Sequence, residues 1–143
     1  MFLKNTFLAL FCVTSFSVNA QIAFDRFDSV EVKINGSTIQ NPWAGGINYG
    51  QFSELDLNLD GTKDMVIFDR TGNKIMPFLN HGSPDQVDYK FAPEYISRFP
   101  AIHDWALFLD YNCDGFNDIF TYSTGGFSVF KNTSTPLSGL SFQ

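Results

Sequence analysis

A nine-residue acidic pattern occurs twice in this chain, 54 positions apart. Asp56-Leu57-Asn58-Leu59-Asp60-Gly61-Thr62-Lys63-Asp64 and Asp110-Tyr111-Asn112-Cys113-Asp114-Gly115-Phe116-Asn117-Asp118 both read D-x-N-x-D-G-x-x-D. Oxygen-bearing side chains at positions 1, 3, 5 and 9, with glycine at 6, are what a tight loop needs to gather donors for a hard divalent cation. The correspondence runs on past the loops. Met65-Val66 matches Ile119-Phe120, Phe68 matches Tyr122 and Gly72 matches Gly126. After a two-residue gap, Phe78-Leu79-Asn80 matches Phe130-Lys131-Asn132. Such duplication constrains the whole architecture, because each unit of a repeat buries its apolar face against a neighbour.

The segments around the loops read as strands. Beyond Ala20 helical apolar spacing is scarce, and short apolar runs are broken by Gly, Pro, Asn and Asp. The expected strands are Val30–Ile34, Phe52–Leu55, Met65–Phe68, Lys74–Leu79, Tyr89–Phe91, Trp105–Leu109, Ile119–Tyr122 and Phe127–Lys131. Turns are expected at Asn35-Gly36, Thr71-Gly72-Asn73 and Gly125-Gly126. Apart from Tyr89–Phe91, the stretch from His81 to Pro100 reads as connecting loop. Leu140–Gln143 reads as the start of a further strand, which suggests a fragment or truncated product. The fold class is all-β.

Residues 1–20 read as an export signal: Lys4 near the amino terminus, an apolar run from Phe7 to Val18, and Ala20 before a cleavage point at Gln21. The apolar run is too short to span a bilayer, which takes about 20 residues, so no transmembrane segment is expected. The repeat region is then 21–143. Removing residues 1–20 takes away only Lys4 among charged side chains and moves the net charge from −6 to −7. Six of the fifteen acidic side chains lie in the two loops, and no basic cluster exists that would track a phosphate backbone. Nucleic acid is therefore not an expected partner. Only Cys113 would remain after cleavage, so no internal disulfide can staple the exported chain. Bound metal is another way to stabilise it.

The loop type can be narrowed. An EF-hand places a bidentate Glu at position 12 between two helices. Here position 12 is Ile67 or Thr121, and the flanks are β-rich. What remains is a cation loop closing a β-hairpin, or a solvated acidic turn capped by its own Asx hydrogen bonds. The three carboxylates of each loop repel one another; at 4 Å a like-charge pair costs about 1 kcal/mol in water and several at lower effective dielectric. A divalent ion reverses that sign. Donors that are all oxygen favour calcium or magnesium over zinc or copper, and a flexible, many-oxygen loop favours calcium.

This combination of loop and strands resembles the FG-GAP and VCBS repeat family, over Phe52–Asn80 and Ala106–Asn132. The resemblance implies β-propeller-like blades, here two repeats of an incomplete propeller. It also implies Ca2+ ligands: side-chain oxygens of Asp56, Asn58, Asp60 and Asp64 with the Thr62 carbonyl, and of Asp110, Asn112, Asp114 and Asp118 with the Phe116 carbonyl. Leu59 and Cys113 depart from the family at position 4, where Gly or a polar residue is usual. Since position 4 donates no ligand, altered packing rather than lost binding is expected.

No catalytic constellation stands out. His103-Asp104 are adjacent and would point to opposite faces of a strand, and no G-x-S-x-G motif occurs. The histidines, His81 and His103, read as polar residues of surface loops, Cys113 as incidental, and Trp43 and Trp105 as packing residues. The expectation is a secreted or cell-surface calcium-binding repeat protein, not an enzyme, with a structural, adhesion or ligand-binding role toward an unknown protein or glycan partner. The alternative is the scaffold portion of a larger secreted enzyme whose active site lies outside this chain. Propellers typically close with 4–8 blades, so the isolated chain should be marginal, or should self-associate through an open blade edge.

Overall fold

The computed structural model describes residues 27, 29–82 and 88–143; residues 1–20, expected to be an export signal, lie outside them. The described chain is mostly β, in three antiparallel sheets, none of them closed. β1 (Lys33–Ile34) and β2 (Ser37–Thr38) form a small hairpin. Its turn uses Asn35 and Gly36, both at positive φ (52° and 83°), as a tight two-residue hairpin requires. The second sheet runs β3 (Gly50–Leu55), β4 (Asp64–Asp69), β5 (Lys74–Asn80) and β6 (Tyr89–Phe91) in meander order. The third runs β7 (Ala106–Leu109), β8 (Asp118–Ser123) and β9 (Gly126–Phe130). Each acidic loop joins the first two strands of its sheet. The gap in the sequence repeat lies in the next turn. Asp69 pairs with Lys74 across four residues, and Ser123 pairs with Gly126 across two.

One core fills the space between the two larger sheets. Leu55, Val66, Phe68 and Ile75 from the second sheet meet Ala106 and Ile119 from the third, with Leu57, Ile102 and Leu140 closing the sides. Polar side chains fix the sheets together. Gln51 Oε1 on β3 accepts the Ala106 amide of β7 at 2.9 Å, and Asn117 Nδ2 donates to the Glu54 carbonyl at 2.9 Å. Thr121 is buried and its hydroxyl contacts the His103 amide and the His103 and Trp105 carbonyls.

The repeat is exact in pairing and unequal in burial. Leu55 is 3% exposed and its counterpart Leu109 52%; Leu57 is 1% exposed and Tyr111 69%; Phe68 is 1% exposed and Tyr122 43%. Strand alternation explains this. Val66 and Phe68 point into the core, whereas in the third sheet the core is met by Ile119 and Thr121, one residue out of phase. The sheets therefore stack with opposite repeat faces together, like face of one to unlike face of the next.

One segment departs from expectation and another agrees with it. Pro93–Arg98, read as loop, is a 3-10 helix with Pro93 in its first turn, and the rings of Tyr95 within it and Phe99 just after it pack on the core. Pro fits there because the first helical amides have no partner to lose. Leu140–Gln143 does pair, against residues 131–133: Lys131 and Gln143 exchange both backbone hydrogen bonds (2.7 and 2.9 Å), and Thr133 N donates to Ser141 O at 2.8 Å. This stretch occupies beside Asn132 the place that β6 occupies beside Asn80.

Candidate functional site

Both acidic loops are closed by the same hydrogen bonds. At position 1, Asp56 Oδ1 accepts the Asp60 amide (3.1 Å) and Oδ2 the Gly61 amide (2.8 Å). Asp110 does the same for Asp114 (3.1 Å) and Gly115 (2.9 Å). At position 3, Asn58 Oδ1 accepts the Asp60 amide at 3.0 Å, and Asn112 Oδ1 the Asp114 amide at 2.9 Å. At position 5, Asp60 Oδ1 accepts from Thr62 N (2.7 Å) and Asp114 Oδ1 from Phe116 N (3.0 Å). Oxygens from positions 1 and 3 thus share one amide in each loop, which brings them side by side. These Asx turns give the loop its shape without help from the rest of the chain.

The ninth residue works differently. Asp64 and Asp118 begin β4 and β8 and are buried. Asp64 accepts the Leu57 amide and the Asn80 amide, each at 2.8 Å. Asp118 accepts Tyr111 N at 3.2 Å and Asn132 N at 2.7 Å. Burial raises the Asp64 carboxyl above the ordinary aspartate value; the two amides oppose this, and the charges of Asp60 and Asp56 add to it. The Thr62 amide, aided by Asn58, holds Asp60 below its ordinary value, and the Phe116 amide, then Asn112 and Lys131, do so for Asp114.

Asn80 and Asn132 complete the site, a role the sequence reading left unassigned. Each donates its backbone amide to the ninth-position carboxylate. Each side-chain NH2 donates to the carbonyl at position 8, Lys63 or Asn117 (3.4 and 3.1 Å), and each Oδ1 accepts an amide two residues on. The signal was present: Asn ends the matched segment in both units.

Position 4 has a backbone reason behind it. Leu59 and Cys113 lie at φ 63° and 60°, and Gly61 and Gly115 at 85° and 90°. Nothing lies within 4 Å of a Cβ at either glycine, so conformation alone selects glycine there. A side chain in this left-handed region costs about 1–2 kcal/mol. Cys113→Gly, at an exposed site, should therefore raise stability by about 0.5–1 kcal/mol in urea unfolding, after the entropy lost on adding a glycine. A lower midpoint would show that the Cys113 conformation is not strained.

The donor chemistry fits a hard cation. Every side-chain donor is oxygen, and a carboxylate offers about four acceptor sites, of which Asp56 and Asp64 each spend two on amides. The residues that would hold an ion are those the motif names: Asp56, Asn58, Asp60, Asp64 and the Thr62 carbonyl, and Asp110, Asn112, Asp114, Asp118 and the Phe116 carbonyl. The side chains are arranged around amides, and among the described residues no three His, Cys, Asp or Glu side chains converge as a ready-made metal cluster. The loops differ at one point. Lys131 Nζ lies 3.6 Å from Asp114 Oδ2, whereas Asn58 Nδ2 donates to Asp60 Oδ2 at 2.8 Å.

Elsewhere, a hollow of about 420 Å³ is lined by Trp43, Phe91, Lys90 and Glu94, and the Trp43 indole N–H donates to the Val30 carbonyl. No helix among the described residues is long and apolar enough to cross a membrane. No family model matches the chain, and no curated protein or solved structure matches it.

Proposed function

We propose that this is an exported or surface-held repeat protein whose two larger sheets are consecutive propeller-like blades, each stabilised by one calcium ion in its acidic loop, with a structural, adhesive or ligand-binding role and no chemistry at the metal. The observation that carries the reading is the recurrence of the same four loop hydrogen bonds at 56–64 and 110–118. Strands flank both loops, as a hairpin-closing cation loop requires and an EF-hand does not. An ion there would draw the three carboxylates of the loop together, offset their charge and stiffen the turn. All the motif oxygens belong to the loop itself, which suits a structural ion better than one that activates water.

Thermal unfolding of the full chain tests this. Calcium at about ten times its Kd should stabilise the fold by about 1.4 kcal/mol per site, and EDTA should remove the gain. Asp60→Ala combined with Asp114→Ala should abolish the calcium response, and Glu94→Gln should keep it. Equal responses in the two variants would defeat the ligand assignment.

A further inference from the structure

The third sheet leaves an apolar face open. Leu107, Leu109, Tyr122, Phe127 and Val129 are all exposed along it, and Phe120 lies among them, in ring contact with Tyr111 and Phe127. The register places these residues on one side: Leu107 pairs with Phe120 and Phe120 with Val129, while Tyr122 pairs with Phe127. A face of this size and composition is unusual for solvent.

The repeat states what covers such a face. Its counterparts in the second sheet are Leu55, Val66, Phe68 and Ile75, all buried, and what buries them is the opposite face of the third sheet, through Ala106 and Ile119. The residues equivalent to Ala106 and Ile119 are Phe52 and Met65, on the outer side of the second sheet. The centre of that side, Ile67, Met76 and Phe78, is covered by Ala44, Tyr89 and Phe91. Its β3 edge is open: Phe52 is 66% exposed and, with Met65 and Tyr89, lines a hollow of about 290 Å³. Charge agrees as well. Lys131 stands where Leu79 does and Glu54 where Phe108 does, and Leu79 and Phe108 both pack in the core between the sheets. Continuing the stack would bring an ammonium and a carboxylate into the same interface.

We propose that the open face of β7–β8–β9 docks on the Phe52–Met65 edge of the second sheet in another copy of this chain, so that copies associate head to tail in the sense of the internal stack, offset toward β3 because the centre of that side is already covered. The contact is face to face rather than along an unpaired strand edge. Because its two halves are different surfaces, it can propagate or close into a ring. The inference rests on the packing of the sheets and is independent of calcium.

Sedimentation velocity of the full chain, in EDTA and in calcium, tests it. At concentrations up to roughly 100 µM the wild type should form species larger than dimers. Phe127→Glu and Phe52→Glu each block one end, so each variant alone should be monomeric. Mixed, they should form a one-to-one dimer through the two intact ends. Circular dichroism on each variant establishes that it is folded, and Val129→Lys and Met65→Lys serve as the second pair if either is not. A wild type that stays monomeric overturns the proposal. So does association of Phe52→Glu equal to wild type, which would mean that the open face pairs with itself, and so does failure of two folded variants to combine.

Discussion

Phe68→Ala should destabilise the protein by about 3–5 kcal/mol, the usual cost of emptying a phenylalanine site in a packed core. Tyr122→Ala, at the matching position of the second unit, should change monomer stability by less than about 1 kcal/mol. The contrast follows from packing alone. Phe68 is fully buried between the sheets, and Tyr122 occupies the same strand position on the exposed face of the third sheet. Because ΔΔG of core truncation includes the cavity left behind, Phe68→Leu should recover part of the loss by filling some of that space. Urea unfolding at low protein concentration reads both values. Comparable losses at the two positions would mean that the units are buried alike, contrary to the alternating stack.

The second large effect is expected at the ninth loop positions. Asp64→Ala removes the acceptor of two backbone amides, Leu57 and Asn80, in a buried setting. Each amide left without an acceptor costs about 1–3 kcal/mol, so a loss of roughly 2–6 kcal/mol is expected, reduced by whatever the buried carboxylate itself cost. Asp118→Ala should behave likewise through Tyr111 and Asn132. Both losses should appear in EDTA, because they arise from hydrogen bonds within the chain. A loss seen only with calcium present would assign these two aspartates to the ion and not to the fold.

The loops and most strands were legible because their signals are local. Alternating apolar runs and the Asx and glycine pattern determine where the chain extends and where it turns; Tyr89–Phe91 and the Asn35-Gly36 turn emerge as read. The 3-10 helix at Pro93–Arg98 was not legible. Pro93 within it, Pro100 just beyond it and a loop-like composition hide that Tyr95 and Phe99 are anchored on a core assembled by distant strands. The outward face of the third sheet was equally hidden. Phe68 and Tyr122 align in sequence, and only the stacking of one sheet on the next decides which is buried. At the loops, the sequence named the oxygen donors but not their present partners. It did not show that Asp64 and Asp118 secure β4 and β8 to the ends of their own sheets through Asn80 and Asn132, since that needs residues 14 or 16 positions away. The left-handed conformation at Leu59 and Cys113 was also invisible, because neither residue type announces it.

Calorimetric titration of the full chain with calcium addresses the central claim most directly. Two sites per chain are expected, with dissociation constants of about 10⁻⁴ to 10⁻³ M, the weaker one at 110–118, where the Lys131 ammonium sits beside Asp114. Asp60→Ala should leave one of them. No binding heat and no stabilisation at millimolar calcium would contradict the account and leave the acidic loops as turns held by their own amides.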